Sequence, residues 1–144
     1  MNYADQNKQF VVFELENEEY GIDILRVKTI EKMSNITRVP NTPSYVKGVM
    51  NLRGEIVPII DLRKKFDLQE KEECENTRII IVYVDDMDVG LIVDSASKVI
   101  DISCDMIEAP PESLGNKENS SIYGIGKLDD KVITLLDVEK LLSA

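Results

Sequence analysis

Histidine is absent from this 144-residue chain, and cysteine occurs only at Cys74 and Cys104. A structural zinc needs clustered His or Cys ligands, so none is expected, and no cofactor motif takes its place. Any catalysis would fall to Asp, Glu, Lys or Cys. Cys74 lies in an acidic segment, which is expected to raise its thiol pKa and make it a poor nucleophile. Two isolated cysteines do not make a disulfide framework and fit a reducing cytoplasm. Basic residues are also scarce: 17 Lys and Arg against 27 Asp and Glu leave a net charge of −10. Such a chain repels phosphate backbones. The densest basic run, Arg63-Lys64-Lys65, reads as the solvated face of a short helix. Aromatic residues make up 6% of the chain, too few for the stacking platform of a nucleic-acid binder. No apolar run approaches membrane-spanning length, and residues 1–6 are polar, with no signal core. Gly124-Ile125-Gly126 lacks the third glycine of a dinucleotide motif. These absences argue against an enzyme, against a nucleic-acid module and against direct membrane insertion.

What is present is strand after strand. Hydrophobic residues are 43% of the chain, enough for a core. The organising stretch runs from Gly48 to Phe66. Two apolar strands flank the turn Asn51-Leu52-Arg53-Gly54-Glu55, and Asp61 caps a short helix. Ile56-Val57-Pro58-Ile59-Ile60 is apolar throughout, as expected of a strand covered on both faces. Pro58, lacking an N–H, argues for a sheet edge. Strands are also expected over 9–16, 20–24, 77–85, 89–94, 97–103, 122–128 and 131–136, with a final helix capped by Asp137. The strand pattern weakens over 25–31. Pro40 and Pro43 forbid a ladder, and 42–46 suits one helical turn. Residues 112–121 read as a polar loop.

The chain repeats itself. A shift of 76 residues lays Gly48 on Gly124, Leu52 on Leu128, Asp61 on Asp137 and Lys64 on Lys140. Apolar residues match at seven further positions, giving 11 agreements in 19. Chance would give about 4. A shift of 69 aligns the earlier hairpins, placing Gly21 on Gly90 and Ile30 on Val99. The chain therefore reads as a tandem duplication of a small β-module. The first barrel subdomain is 9–66, a charged connector is 67–76, and the second is 77–144. Each module has about five short strands, which suits a small OB- or SH3-like barrel. A module this short is marginal alone, so the copies should pack together and leave a groove between them. At the hairpin tip the copies differ: Arg53-Gly54 in one, Asp129-Asp130 in the other.

The motif Asn51-Leu52-Arg53-Gly54, followed by Val57-Pro58 and Asp61-Leu62-Arg63, resembles the CheW family of bacterial chemotaxis coupling proteins. So do Glu19-Tyr20-Gly21-Ile22-Asp23-Ile24, Asn41-Thr42-Pro43, Val89-Gly90-Leu91-Ile92-Val93-Asp94 and Glu139-Lys140-Leu141-Leu142. The likeness implies an all-β fold of two five-stranded barrels with strands exchanged between copies. It implies a cytoplasmic, non-enzymatic adaptor, recruited to receptor arrays. Its partners would be the cytoplasmic tip of methyl-accepting chemoreceptors and the regulatory domain of the histidine kinase CheA. An array controlling an output other than motility is the alternative. By motif, Arg53 would contact the receptor, together with Asn51, Gly54 and Ile56. Gly48 and Gly90 would permit close backbone approach, and Val27, Ile56 and Val99 would line the apolar floor. Kinase binding is expected on the apolar surface of 77–144. Thr29 stands where the family often carries an acid.

Overall fold

A computed structural model describes residues 7–110 and 121–142. The expected polar loop over 112–121 therefore lies almost wholly outside the described residues. Among the described residues eleven strands form two sheets. β1 (Asn7–Leu15), β2 (Glu18–Asp23), β8 (Ser95–Ser103), β9 (Ile107–Glu108), β10 (Ile122–Leu128) and β11 (Lys131–Leu136) make a six-stranded sheet, in the order β8-β1-β2-β11-β10-β9. β3 (Val27–Lys32), β4 (Val46–Leu52), β5 (Glu55–Asp61), β6 (Arg78–Val84) and β7 (Met87–Val93) make a five-stranded sheet, in the order β3-β6-β7-β5-β4. Helix α1 (Leu62–Lys65) follows β5, and α2 (Val138–Leu142) follows β11.

Each sheet curls back on itself. β8 and β9 sit at opposite ends of one sheet order, yet only the short 3-10 turn Cys104–Met106 separates them in sequence. In the other sheet, the chain leaving β3 returns at Thr37 to bridge Val49 on β4, at the opposite edge. Both Thr37–Val49 backbone hydrogen bonds are 2.8 Å long. A kinked strand thus joins the two edges of each sheet, which removes open edges as barrels do.

The internal repeat is reproduced in register. Val46 pairs Ile60 and Gly48 pairs Ile59, with a bulge between; Ile122 pairs Leu136 and Gly124 pairs Leu135, again with a bulge. Ile59 lies beside Gly90 in a parallel pair, and Leu135 lies beside Gly21 in its counterpart. The copies exchange their first hairpins. β1–β2 of the first copy completes the sheet of the second, and β6–β7 completes the sheet of the first. This is the strand exchange that the family resemblance implied.

Exchange also explains the strands that are apolar at every position. Ile79 and Ile81 point into the five-stranded unit with Met50, Val57 and Ile59. Ile80 and Val82 point the other way, into a core shared by both sheets. Phe10 and Val12 fill the six-stranded unit with Ile102, Ile133 and Leu135, while Val11 and Phe13 join the shared core. Two modules thus give three cores among the described residues. The shared one welds the copies, so neither half buries its outer face alone.

Local expectations need three corrections. β5 is not an edge strand, because β7 and β4 flank it. Counting from the Leu52–Glu55 pair that closes the turn, Pro58 opposes Val49 in a non-hydrogen-bonded pair, so its missing N–H points away from β4. The parallel pairing with β7 starts only at Ile59, which spares Pro58 on that side too. Residues 27–32, where the sequence pattern is weak, do form a strand. Residues 42–46 form no helix; the Val46 N–H donates to the Pro43 carbonyl in a turn.

Candidate functional site

The β4–β5 turn places the motif residues. Arg53 and Gly54 occupy its two tip positions with φ of 51° and 90°, the left-handed pair of a type I′ turn. Gly54 adopts this freely; Arg53 does so against its Cβ. The Asn51 side chain secures the turn, its Oδ1 accepting the Gly54 N–H at 2.9 Å. Asn51 thus serves its own hairpin first. The Arg53 side chain is 69% exposed, and its Nη2 rests 3.4 Å from Glu31 Oε2 on β3. An exposed pair of that length is weak and leaves the guanidinium available. Ile56, opposite Asn51, is 65% exposed.

The apolar floor comes from both sheets. Residues paired across strands share a face. Val27 pairs Val82, and Val99 pairs Val11, and both partners belong to the shared core. Val27 and Val99 therefore lie on the faces by which the sheets meet, Val27 half-buried and Val99 half-exposed. Ile30, the repeat counterpart of Val99, pairs Ile80 on the same face and remains partly exposed. Thr29 points the other way: it pairs Ile81, and its Oγ1 is shielded, with no hydrogen-bond partner among the described residues.

Gly48 and Gly90 sit inside the fold. Both are buried, and both make room for atoms of this chain itself. A Cβ on Gly48 would stand 2.1 Å from the Thr37 carbonyl oxygen, and one on Gly90 would stand 2.6 Å from Ile59 Cδ1. The site residues thus fall into three groups. Arg53, Asn51, Gly54 and Ile56 share one hairpin; Val27 and Val99 flank the inter-sheet junction; Gly48 and Gly90 are internal.

Two residues of consequence escaped the sequence reading. Glu31, the Arg53 partner, carries no motif signal. Arg63 is not solvated but 7% exposed. Its Nε and Nη2 donate to the two Asp94 carboxylate oxygens at 2.8 and 2.6 Å, and its Nη1 donates to the Gln69 carbonyl at 2.8 Å. Glu16 adds a longer contact at 3.3 Å. These bonds raise the Arg63 pKa further, Asp94 being the largest cause. Burial pushes the Asp94 carboxyl up, but the Arg63 bonds and the Glu16 N–H outweigh it and hold it below its usual range. Cys74 also departs from expectation. The thiol lies lower than usual, because the Asn76 backbone N–H and the Thr77 hydroxyl favour the thiolate by more than desolvation opposes it.

Comparison with known proteins fits this architecture. The sequence model of the CheW-like domain matches residues 9–144. A chemotaxis protein CheW of Klebsiella aerogenes is 44% identical over 137 residues, covering 95% of this chain and 82% of the relative. Its counterpart in Bacillus subtilis is 40% identical over 135 residues, covering 94% and 86%. The crystal structure of the scaffolding protein TtCheW from Thermoanaerobacter tengcongensis superposes with a TM-score of 0.87 at 39% identity, covering 95% of this chain and 93% of that one. With the model spanning nearly the whole length and the same doubled β-architecture in a solved relative, the chain belongs to the CheW-like family.

Proposed function

We propose that this protein couples chemoreceptors to the histidine kinase CheA by holding each on a separate surface. As a CheW-like protein it is a chemotaxis scaffold, not an enzyme. The observation that carries the finer reading is the junction between the sheets. Val27 on one sheet and Val99 on the other border the shared core, and Arg53 reaches β3 through Glu31. Apolar residues bordering that junction, with an exposed guanidinium at the β4–β5 turn of the five-stranded sheet, suit the helical tip of a receptor. The guanidinium can fork onto a carboxylate there. The kinase regulatory domain docks on the second half, where Val132 of β11 is 61% exposed. Val132 is the repeat counterpart of Ile56, so the same outward position serves a different partner in each copy. The protein acts in the cytoplasm at receptor arrays. Among the described residues no helix is long and apolar enough to cross a membrane.

Calorimetric titration tests the division of surfaces. Arg53→Asp and Val99→Asp should each weaken binding of a receptor-tip fragment by about tenfold or more while leaving kinase-domain affinity within about twofold. Val132→Asp should do the reverse. Arg53 and Val132 are largely exposed and Val99 half-exposed, so melting temperatures should hold. If each substitution weakens both partners alike in a folded protein, the division is wrong.

A further inference from the structure

Two ion pairs pin the places where the chain crosses between sheets, and the internal repeat relates them. The chain passes from β2 to β3 through the 3-10 turn Ile24–Arg26, and from β7 to β8 at Asp94. At the second crossing, Arg63 of α1 pairs with Asp94. Under the 76-residue shift Arg63 corresponds to Glu139 of α2, and Glu139 pairs with Arg26 at the first crossing. Under the 69-residue shift Asp94 corresponds to Leu25, one residue before Arg26. Each helix therefore clasps one crossover, with the charges reversed.

The clasps are unequal. The Arg63 and Asp94 side chains are 9% and 14% exposed, whereas those of Arg26 and Glu139 are 45% and 46% exposed. The Asp94 crossing has further ties to the opposite sheet: its N–H donates to the Glu14 carbonyl at 3.0 Å, and its Oδ2 accepts the Glu16 N–H at 3.0 Å. At the first crossing Ile24 packs against the shared core, but the hydrogen bonds are local. Leu25 N–H donates to Asp23 Oδ1 at 3.0 Å and Val27 N–H to the Ile24 carbonyl, while the Leu25 side chain is 87% exposed.

We propose that the Ile24–Arg26 crossing is a local hinge at the start of β3, with the Arg26–Glu139 pair as its releasable latch, and that the Arg63–Asp94 crossing is the fixed pivot. Hinges are drawn from such element-terminal residues, and two-state opening there moves the strand that follows. That strand is β3, which carries Val27. On the function proposed above, a receptor seated across Val27 and Val99 would bear directly on the hinge; the hinge itself follows from the clasps alone.

Amide hydrogen exchange on the whole protein tests this without any partner. An exposed ion pair shifts an opening equilibrium by about two- to fivefold. Arg26→Gln should speed exchange of the Leu25 and Val27 amides by that factor and leave Asp94 and Glu16 unchanged. Salt at about 1 M should do the same to the natural protein. The exchanged pair Arg26→Glu with Glu139→Arg should restore the natural rates. Unchanged exchange at Leu25 and Val27, an equal rise at Asp94 and Glu16, or no recovery in the exchanged pair would each overturn the latch. None of these results depends on receptor or kinase binding, so the functional proposal stands or falls separately.

Discussion

Arg63→Ala is expected to cost about 3 kcal/mol of stability and to lower the melting temperature by roughly 10 °C. The substitution removes a forked ion pair and leaves the Asp94 carboxylate, itself only 14% exposed, without its cation. Breaking such a pair from one side costs more than the pair is worth, because the remaining charge stays poorly solvated. It also frees the Gln69 carbonyl and so loosens the connector that leads from α1 to β6. Arg63→Lys keeps the charge but loses the fork, and should fall between the natural protein and the alanine variant.

The pH dependence should weaken with it. In the natural protein the Asp94 carboxyl is depressed, so its contribution is fully present above its unfolded value of about 4. It is lost as pH falls through the lower folded value. In Arg63→Ala the burial that pushes this carboxyl up remains, while the cation that offset it is gone. Only the Glu16 N–H and Lys71 then hold it down, so its folded pKa should rise from the depressed value and the stability it contributes above about pH 4 should shrink. Denaturant midpoints between pH 3 and 7 read this directly. An unchanged midpoint and slope in the alanine variant would contradict the buried-pair account.

Gly48→Ala should be nearly as damaging, costing about 3 kcal/mol. Its φ of 150° is one that side chains rarely adopt, and the added Cβ would meet the Thr37 carbonyl carbon at 2.7 Å as well as its oxygen. Both are backbone atoms, held by the Thr37–Val49 bridge that joins β4 to the end of β3. The two edges of the five-stranded sheet therefore close only over a glycine. The repeat provides an internal control. Gly124 occupies the same register position, but there a Cβ stands 3.0 Å from the Glu108 oxygen, without a left-handed φ. Gly124→Ala should therefore be the milder change in thermal unfolding. If the two substitutions cost the same, the bridge is not what demands the glycine.

These two residues show how far the sequence could be read. The hairpins, the caps at Asp61 and Asp137 and the repeat were legible because they follow local periodicity and fixed spacing. Asp61 Oδ1 does accept the Arg63 N–H, and Asp137 Oδ1 accepts those of Glu139 and Lys140. The exchange of hairpins was legible only as a consequence of family likeness, since either pairing satisfies the same strand patterns. Arg63 was misread because its burial depends on Asp94 and Glu16, 31 and 47 residues away. No local pattern marks a cation whose acids arrive through the fold. Pro58 was misread for a related reason: a missing N–H points to a sheet edge only if a neighbour would need it there. Of the site, the exposed turn at Arg53 was visible in its Arg-Gly tip, whereas the Glu31 contact needed coordinates.

The most direct test of the account is co-sedimentation of the protein with receptor-containing membranes, with and without the kinase. The natural protein should sediment with the membranes and carry the kinase down with it. Arg53→Asp should stay in the supernatant, still bound to the kinase. An Arg53→Asp protein that sediments like the natural one, or a natural protein that reaches the membranes yet leaves the kinase behind, would contradict the claim that one folded scaffold joins the two through separate surfaces.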